Sequence, residues 1–360
     1  MTILDRARPE IRAFTPYRSA RSSAGRAPVM LNANELPWSA TDYPDINRYP
    51  DPQPAELLAC LSDYYEVPTD QILVSRGSDE AIDLLVRAFC EASRVAILQC
   101  PPCFGMYAIA ARIQGARVLE VPLLAPDFAL DLTGIIESLE PDLKLVFLTS
   151  PNNPTGNLMD TDQVLTLARE LAGQALVVVD EAYIEFTDQP SLAPLTGELE
   201  NLVVLRTLSK AFGLAGSRCG VAIADAGVIG LLRRILPPYP LPGPTVDLAM
   251  AALAADKREQ VRALLDHART NKDKLLKLIR EQAWVARIWP GAANFVLLET
   301  AWASQVHEQL SGQGIEVRDF SSHPLLPGCL RISVGSDREL TLLDRALAAL
   351  QIDGLKETRS

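Results

Sequence analysis

Ser209 and Lys210 follow an apolar run, LVVL at 202–205, that reads as a buried strand. The residues after them, Ala211 to Gly216, are small or apolar apart from Phe212. A lysine among such neighbours loses hydration, and burial disfavours its charged form. A neutral lysine is a nucleophile that condenses with an aldehyde to a Schiff base. Arg218 stands eight residues beyond Lys210. A fixed guanidinium there can clamp a phosphate through two parallel N–H bonds. An S-K pair alone is equally a loop lysine beside a surface arginine, so its meaning depends on what else the fold brings to it. Two further stretches end apolar runs in the same way. SPNNPTG at 150–156 follows LVFLT, and its prolines and glycine make a rigid turn that presents Asn153. DEAY at 180–183 follows ALVVV. An acid that ends a buried strand is either paired or expensive, and Tyr183 is close enough in sequence to Asp180 to share a site.

These three stretches need a scaffold that gathers strand ends. Apolar runs at 72–75, 94–98, 117–121, 144–150, 176–180, 202–205 and 220–224 read as strands, with helical patterns between most of them. Such alternation predicts an α/β unit with a mostly parallel seven-stranded sheet between helices and right-handed crossovers. Open α/β sheets bind ligands at the carboxyl ends of their strands, where all three stretches fall. No G-x-G-x-x-G follows a strand, so a dinucleotide fold is not favoured. Helices are expected at 55–65 and at 80–90, the second opened by GSDE with Ser78 as N-cap and Asp79 and Glu80 in its first turn. A helix start also offers free N–H groups to phosphate. A long helix over 258–282, with Val261, Leu264, Leu265, Ala268, Leu275, Leu276 and Ile279 as one buried stripe, carries the chain out of the large domain. A smaller α+β unit follows: strands at 294–299, 315–317 and 330–334, helices at 301–313 and 337–351. Residues 1–30 read as a polar arm laid on something else, and 43–54 as a proline-fixed extended loop bearing Arg48 and Tyr49. The expected division is an arm with part of the small domain at 1–45, a large domain at 46–250 and a small domain at 251–360.

Composition limits the function classes. The 360-residue chain has a net charge of −11, which opposes a nucleic-acid or anionic-membrane surface. An anionic ligand must be held by local arginines against that field. No apolar stretch approaches the roughly 18 residues of a membrane span. The first residues lack a secretory apolar segment, so a cytoplasmic protein is expected. Six unevenly spaced cysteines make no disulfide framework, and C-P-P-C at 100–103 reads as a strand end and turn. No metal site is expected.

The ordered set of arm, GSDE, PNNPTG, DEAY, SKAFGLAGSRCG and terminal arginines resembles the fold-type-I aminotransferases that use pyridoxal phosphate, over nearly the whole chain. TPYRSAR, LNANE, RYPDPQP, RGSDE, FCE, PCFGMY and TLSKAFGLAGSRCG are most similar to the histidinol-phosphate aminotransferase branch of that family. The resemblance implies a fold-type-I transferase with pyridoxal 5′-phosphate as cofactor. It implies that Lys210 forms the Schiff base and then shuttles a proton, and that Asp180 pairs with the pyridine nitrogen. Tyr183 and Asn153 would bond the ring's phenolic oxygen. Ser78, Asp79, Ser209 and Arg218 would line the phosphate cup, with Tyr49 entering from the neighbouring subunit of a homodimer with a shared site. Phe104 matches the stacking aromatic, where the family usually has tyrosine. Cys103 replaces a usual threonine and Ser78 a usual alanine. Arg331 in CLRISVG matches the arginine for the substrate's anionic end. Arg318 in IEVRDF and Tyr17 in TPYRSAR are similar to residues around the substrate phosphate, and Asn34 to one at the pocket entrance. The activity so implied is transfer of the amino group of L-histidinol phosphate to 2-oxoglutarate. Aromatic amino acid transamination and threonine-phosphate decarboxylation share the scaffold and the same core residues. A non-catalytic cofactor-binding protein is opposed by the intact lysine, aspartate, tyrosine and asparagine.

Overall fold

Along the run at 176–179, Leu176 and Val178 point to one layer of packed side chains, and Val177 and Val179 to another. All four are fully or almost fully buried. A strand covered on both faces reads as continuous apolar sequence rather than as alternation. The helices on either side supply that cover, and each buried Leu or Val contributes about 1.5–3 kcal/mol relative to exposure. The computed structural model describes residues 2–17 and 29–352. In it β1 (Ile72–Ser75), β2 (Ala96–Gln99), β3 (Arg117–Glu120), β4 (Leu143–Thr149), β5 (Leu176–Asp180), β6 (Leu202–Thr207) and β7 (Gly220–Ala224) form one sheet in the order β1-β7-β6-β5-β4-β2-β3. β7 runs antiparallel to both its neighbours, and the remaining pairs are parallel. This is the α/β fold with a mostly parallel sheet expected from the alternation.

The direction of β7 has a local consequence. Gly220, its first residue, is paired with both Ser75 of β1 and Thr207 of β6. The turn into the helix Ser78–Phe89 therefore lies at the same sheet edge as Thr207, Ser209 and Lys210.

A second sheet, β8 (Arg287–Trp289), β9 (Phe295–Glu299), β10 (Arg318–Asp319) and β11 (Cys329–Ser333), is antiparallel in the order β10-β11-β9-β8. The helices Ala303–Gly312 and Asp337–Ala348 pack on it, the latter opened by a capping box between Ser336 and Glu339. The helix Arg258–Arg280 joins the two regions. Leu265 near its start belongs to the large sheet's core, and Leu275, Leu276 and Ile279 belong to the core of the second sheet.

Several expectations are corrected. Ser78 is the first helical residue and not the N-cap; the cap is Gly77, whose φ of 77° only glycine adopts at no steric cost. The strand expected at 315–317 forms instead at Arg318–Asp319, and β8 was not foreseen. Leu264 is exposed and Val261 and Ala268 are only half-buried, so the expected stripe is buried only at Leu265, Leu275, Leu276 and Ile279. The arm does not merely lie on the surface: Ile3 and Ala7 are buried in the large sheet's core with Leu73, Val228 and Leu232. Among the described residues no helix is long and apolar enough to cross a membrane.

Candidate active site

The carboxyl ends of β4, β5 and β6 open on one cleft of about 260 Å³. Ser78, Asp79, Phe104, Asn153, Asp180, Tyr183, Ser209, Lys210, Arg218 and Arg331 all line it. These come from five separate connections of the large sheet and one strand of the second, so the fold alone brings them together.

One end of the cleft is made of backbone. Gly77 and Gly220 touch so closely that a Cβ on Gly220 would overlap the Gly77 carbonyl carbon and the Ser78 nitrogen. A Cβ on Gly77 would lie 2.6 Å from an Arg218 guanidinium nitrogen. The first N–H groups of the helix Ser78–Phe89 end here without intrahelical acceptors. Arg218 holds a left-handed backbone, φ 56° and ψ 47°, which is uncommon away from glycine. Its guanidinium donates to the Ala215 carbonyl at 3.1 Å and to an Asp79 carboxylate oxygen at 3.3 Å. Asp79 therefore orients the arginine from the side. Thr207 Oγ1 accepts the Ser209 N–H at 3.1 Å and bonds the Ser209 hydroxyl at 2.9 Å, fixing the turn before Lys210.

The floor of the cleft is Asp180. One carboxylate oxygen accepts the Ala182 N–H at 3.1 Å, and the other accepts the Tyr107 hydroxyl at 2.9 Å. Burial raises its pKa to about 6; the bonds from Tyr107 and Ala182 oppose that rise. Tyr107 is fully buried, stacks on Phe147 with ring centroids 4.7 Å apart and also bonds Thr149 Oγ1 at 2.9 Å. The aromatic edge of Phe104 meets it at 5.8 Å. Lys210 opens to the cleft, with its ammonium 5.6 Å from the Tyr183 ring centroid. Its pKa is lowered, first by burial against the cleft walls and then by Arg331, while Asp180 and Asp79 act the other way. Burial pushes the Tyr183 hydroxyl up to about 12.

The opposite end is made of side chains from two sheets. Arg331 donates to Asn153 Oδ1 and lies 5.1 Å from the Phe295 ring centroid. Phe295 meets the edge of Tyr183 at 5.4 Å. Arg318 is the direct register partner of Arg331, and both guanidinium carbons lie 5.7 Å from the Phe320 ring centroid. Arg318 itself is exposed and does not line the cleft. Burial lowers the Arg331 pKa, and Arg318 adds to the effect.

The pattern of this chain matches the family "Aminotransferase class I and II" over residues 19–350. The chain belongs to that family. Among its relatives, histidinol-phosphate aminotransferases of Yersinia pseudotuberculosis serotype O:1b (strain IP 31758) and Xanthomonas euvesicatoria pv. vesicatoria (strain 85-10) are each 44% identical over 355 residues. The match covers 97% of this chain in both cases, 91% of the first relative and 97% of the second. The crystal structure of histidinol-phosphate aminotransferase from Sinorhizobium meliloti in complex with pyridoxal-5′-phosphate superimposes with a TM-score of 0.78 at 26% identity, covering 87% of this chain and 84% of that one. This is the fold-type-I architecture the motifs implied.

The donor set of this aminotransferase fits pyridoxal phosphate. A Cβ-free cradle beside a helix start and an arginine suits a phosphate. A buried acid with raised pKa on the floor suits a protonatable ring nitrogen, and a lysine with lowered pKa suits an aldehyde. Phe104 offers a π-face without a hydroxyl.

Four of the anticipated residues do not line the cleft. Tyr17 is 71% exposed, and residues 18–21 of its signature lie outside the described residues. Asn34 is exposed with φ 57°. Tyr49 stacks on Tyr239 at 4.2 Å and gives its N–H to Glu35. Arg318 stands beside Arg331 in the pairing of β10 with β11 but does not line the cleft. Tyr107, Thr149 and Thr207 were not anticipated. A tyrosine on the buried face of an apolar helix is the signal that was available for Tyr107, since its hydroxyl needs a partner when buried.

Proposed function

We propose that this aminotransferase moves the amino group of L-histidinol phosphate to 2-oxoglutarate, giving 3-(imidazol-4-yl)-2-oxopropyl phosphate and L-glutamate in histidine biosynthesis. The observation that carries the reading is Arg331. It is half-buried and faces the cleft opposite the cradle, and among the described residues no carboxylate pairs with it. An uncompensated cation of that kind calls for an anionic group on the substrate, and a guanidinium fork matches phosphate and carboxylate alike. The relatives described above are named for histidinol phosphate, and in this reading the guanidinium meets that phosphate in one half-reaction and a glutamate carboxylate in the other.

In this reading Ser78, Asp79, Ser209 and Arg218 hold the cofactor phosphate, the first two through helix-start N–H groups. Bound pyridoxal phosphate supplies an electrophilic carbon for the amine and a ring that accepts the electron pair released at the substrate carbon. Asp180 keeps a proton on the ring nitrogen. Lys210, already inclined to its neutral form, takes the proton from the substrate carbon that bears the amine. Tyr183 and Asn153 orient the phenolic side of the ring, Phe104 covers a face, and Arg331 fixes the far end of the substrate. Borohydride reduction followed by peptide mapping should place the label on Lys210, and a label on Lys144 would refute that assignment.

The reading also holds that the chain works as a cytoplasmic homodimer, with an arm and part of the small domain at 1–45, a large domain at 46–250 and a small domain at 251–360. Support comes from the loop region: Leu31 is 90% exposed, Trp38 78% and Tyr49 46%, a run of apolar surface that a second copy would cover. Tyr49 then serves the partner's phosphate cup. Tyr49→Ala and Lys210→Ala chains, mixed and allowed to exchange, should recover part of the activity; full exchange with none recovered would mean that each subunit builds its own site. The substrate is tested by titrating the holoenzyme with L-histidinol phosphate while following the cofactor's visible spectrum. A spectral response and turnover support it. A much higher kcat/KM for phenylalanine or threonine phosphate would replace it.

A further inference from the structure

Lys272 belongs to none of the motifs and touches nothing in the cleft. It projects from the middle of the helix Arg258–Arg280, the one that enters both cores. Its ammonium donates to two backbone carbonyls, Gly291 at 2.8 Å and Ala293 at 2.6 Å. Charge-assisted bonds of this length are about twice as strong as neutral ones.

The turn it grips is the seam between the two sheets. Gly291 lies against Gly156, with both in the left-handed region at φ 57° and 78°. A Cβ on Gly291 would come 2.6 Å from the Gly156 Cα. Between them, the Ala292 N–H donates to the Gly156 carbonyl at 2.6 Å. Gly156 in turn donates to the Asn152 carbonyl at 2.8 Å, closing the turn that carries Asn153. On the other side of the gripped turn, Ala293 and Phe295 pack with Ala182 and Tyr183. Arg331 contacts both ends of this path, through Asn153 and through the Phe295 ring.

We propose that Lys272 is a positioning residue for substrate recognition: it locks the Gly291–Ala293 turn, and through Gly156 and Phe295 it fixes where Asn153 and Arg331 stand. The proposal rests on the reading that Arg331 and Asn153 meet the substrate. The phosphate cradle lies at the other end of the cleft and shares no bond with this path. Losing Lys272 should therefore weaken substrate and leave cofactor retention alone.

The test compares Lys272→Met, the milder Lys272→Gln and the conservative Lys272→Arg with the unchanged holoenzyme. Amide hydrogen exchange at Ala292 should speed up about tenfold in the Met and Gln variants, with peptides of β5 unchanged. The glutamate concentration that half-changes the cofactor spectrum should rise about tenfold while kcat falls less. Cofactor retention on dialysis should not change, and Lys272→Arg should recover much of the loss. Unchanged exchange at Ala292 overturns the proposal, as does a loss of cofactor retention equal to the loss of glutamate affinity. If Lys272→Met does not fold, the Gln variant decides. If the unchanged enzyme gives no spectral response to glutamate or histidinol phosphate, the substrate reading fails, and the exchange rates still judge Lys272.

Discussion

The two ends of the cleft are built by different means. At the cradle, Gly77, Ser78 and Gly220 are placed by strand pairing inside one sheet, and the shape comes from backbone with no room for a single added carbon. At the far end, Asn153 and Arg331 come from different sheets; backbone joins the turns beneath them at Gly156 and Gly291, but the two groups themselves meet only through side chains, Arg331 donating to Asn153 Oδ1 and lying over the Phe295 ring. Backbone fixed by a sheet ladder moves only with the sheet. Side chains across a seam can shift by repacking. The cradle end is thus suited to a group that stays bound, and the far end to two different anions that alternate in the same place.

That contrast is open to direct attack. The largest effect is expected at Gly220. Gly220→Ala must push β7 away from the helix start, which costs about 3 kcal/mol as overpacking. Melting of the cofactor-free protein should fall, and cofactor affinity should fall with it; an unchanged cofactor dissociation constant would mean that the cradle is not where phosphate binds. Next comes Arg331→Ala, which removes a charge-assisted contact worth about 1.5–3 kcal/mol. KM for both histidinol phosphate and glutamate should rise about tenfold or more with cofactor affinity unaltered. A variant that loses cofactor as readily as substrate would erase the distinction between the ends.

The smallest effect concerns the floor between them. The folded-state pKa of Asp180 is raised to about 6 by burial, so the folded protein binds this proton more tightly than the unfolded chain. Stability from this group is therefore greatest in acid and declines as pH rises through 6. In the cofactor-free protein, Asp180→Asn should gain on the unchanged chain by about 1 kcal/mol more at pH 7.5 than at pH 5. Equal differences at both pH values would show that Asp180 titrates normally and that the floor is wetter than its burial indicates.

How far the sequence was legible follows from the same physics. β5 was legible residue for residue because LVVVD is apolar on both faces and ends in an acid. Asp180 ends that strand, and the apolar runs LVFLT and LVVL gave Asn153 and Lys210 their strand-end positions in the same way. β8 was not, since its residues are half-buried and it is only three residues long. β10 lay beyond the apolar part of IEVRDF, in the two charged residues that pair with β11. Gly77 rather than Ser78 caps its helix because the left-handed backbone at the cradle overrides side-chain capping preference. Tyr107 was hidden for another reason: its bond to Asp180 joins residues 73 apart in sequence, and no local pattern encodes such a contact. Tyr49 sits away from its own chain's cleft, and the resemblance assigns it to the neighbouring subunit's site instead.

The helix Arg258–Arg280 has a consequence for unfolding. Its first half is a wall of one core through Leu265 and its second half a wall of another through Leu275, Leu276 and Ile279. Melting either core strips the helix of half its burial, and a helix exposed on that side is marginal in water. Heat should therefore dissolve both sheets in a single transition, and a protease that nicks the helix near its middle should release no durable fragment from either side.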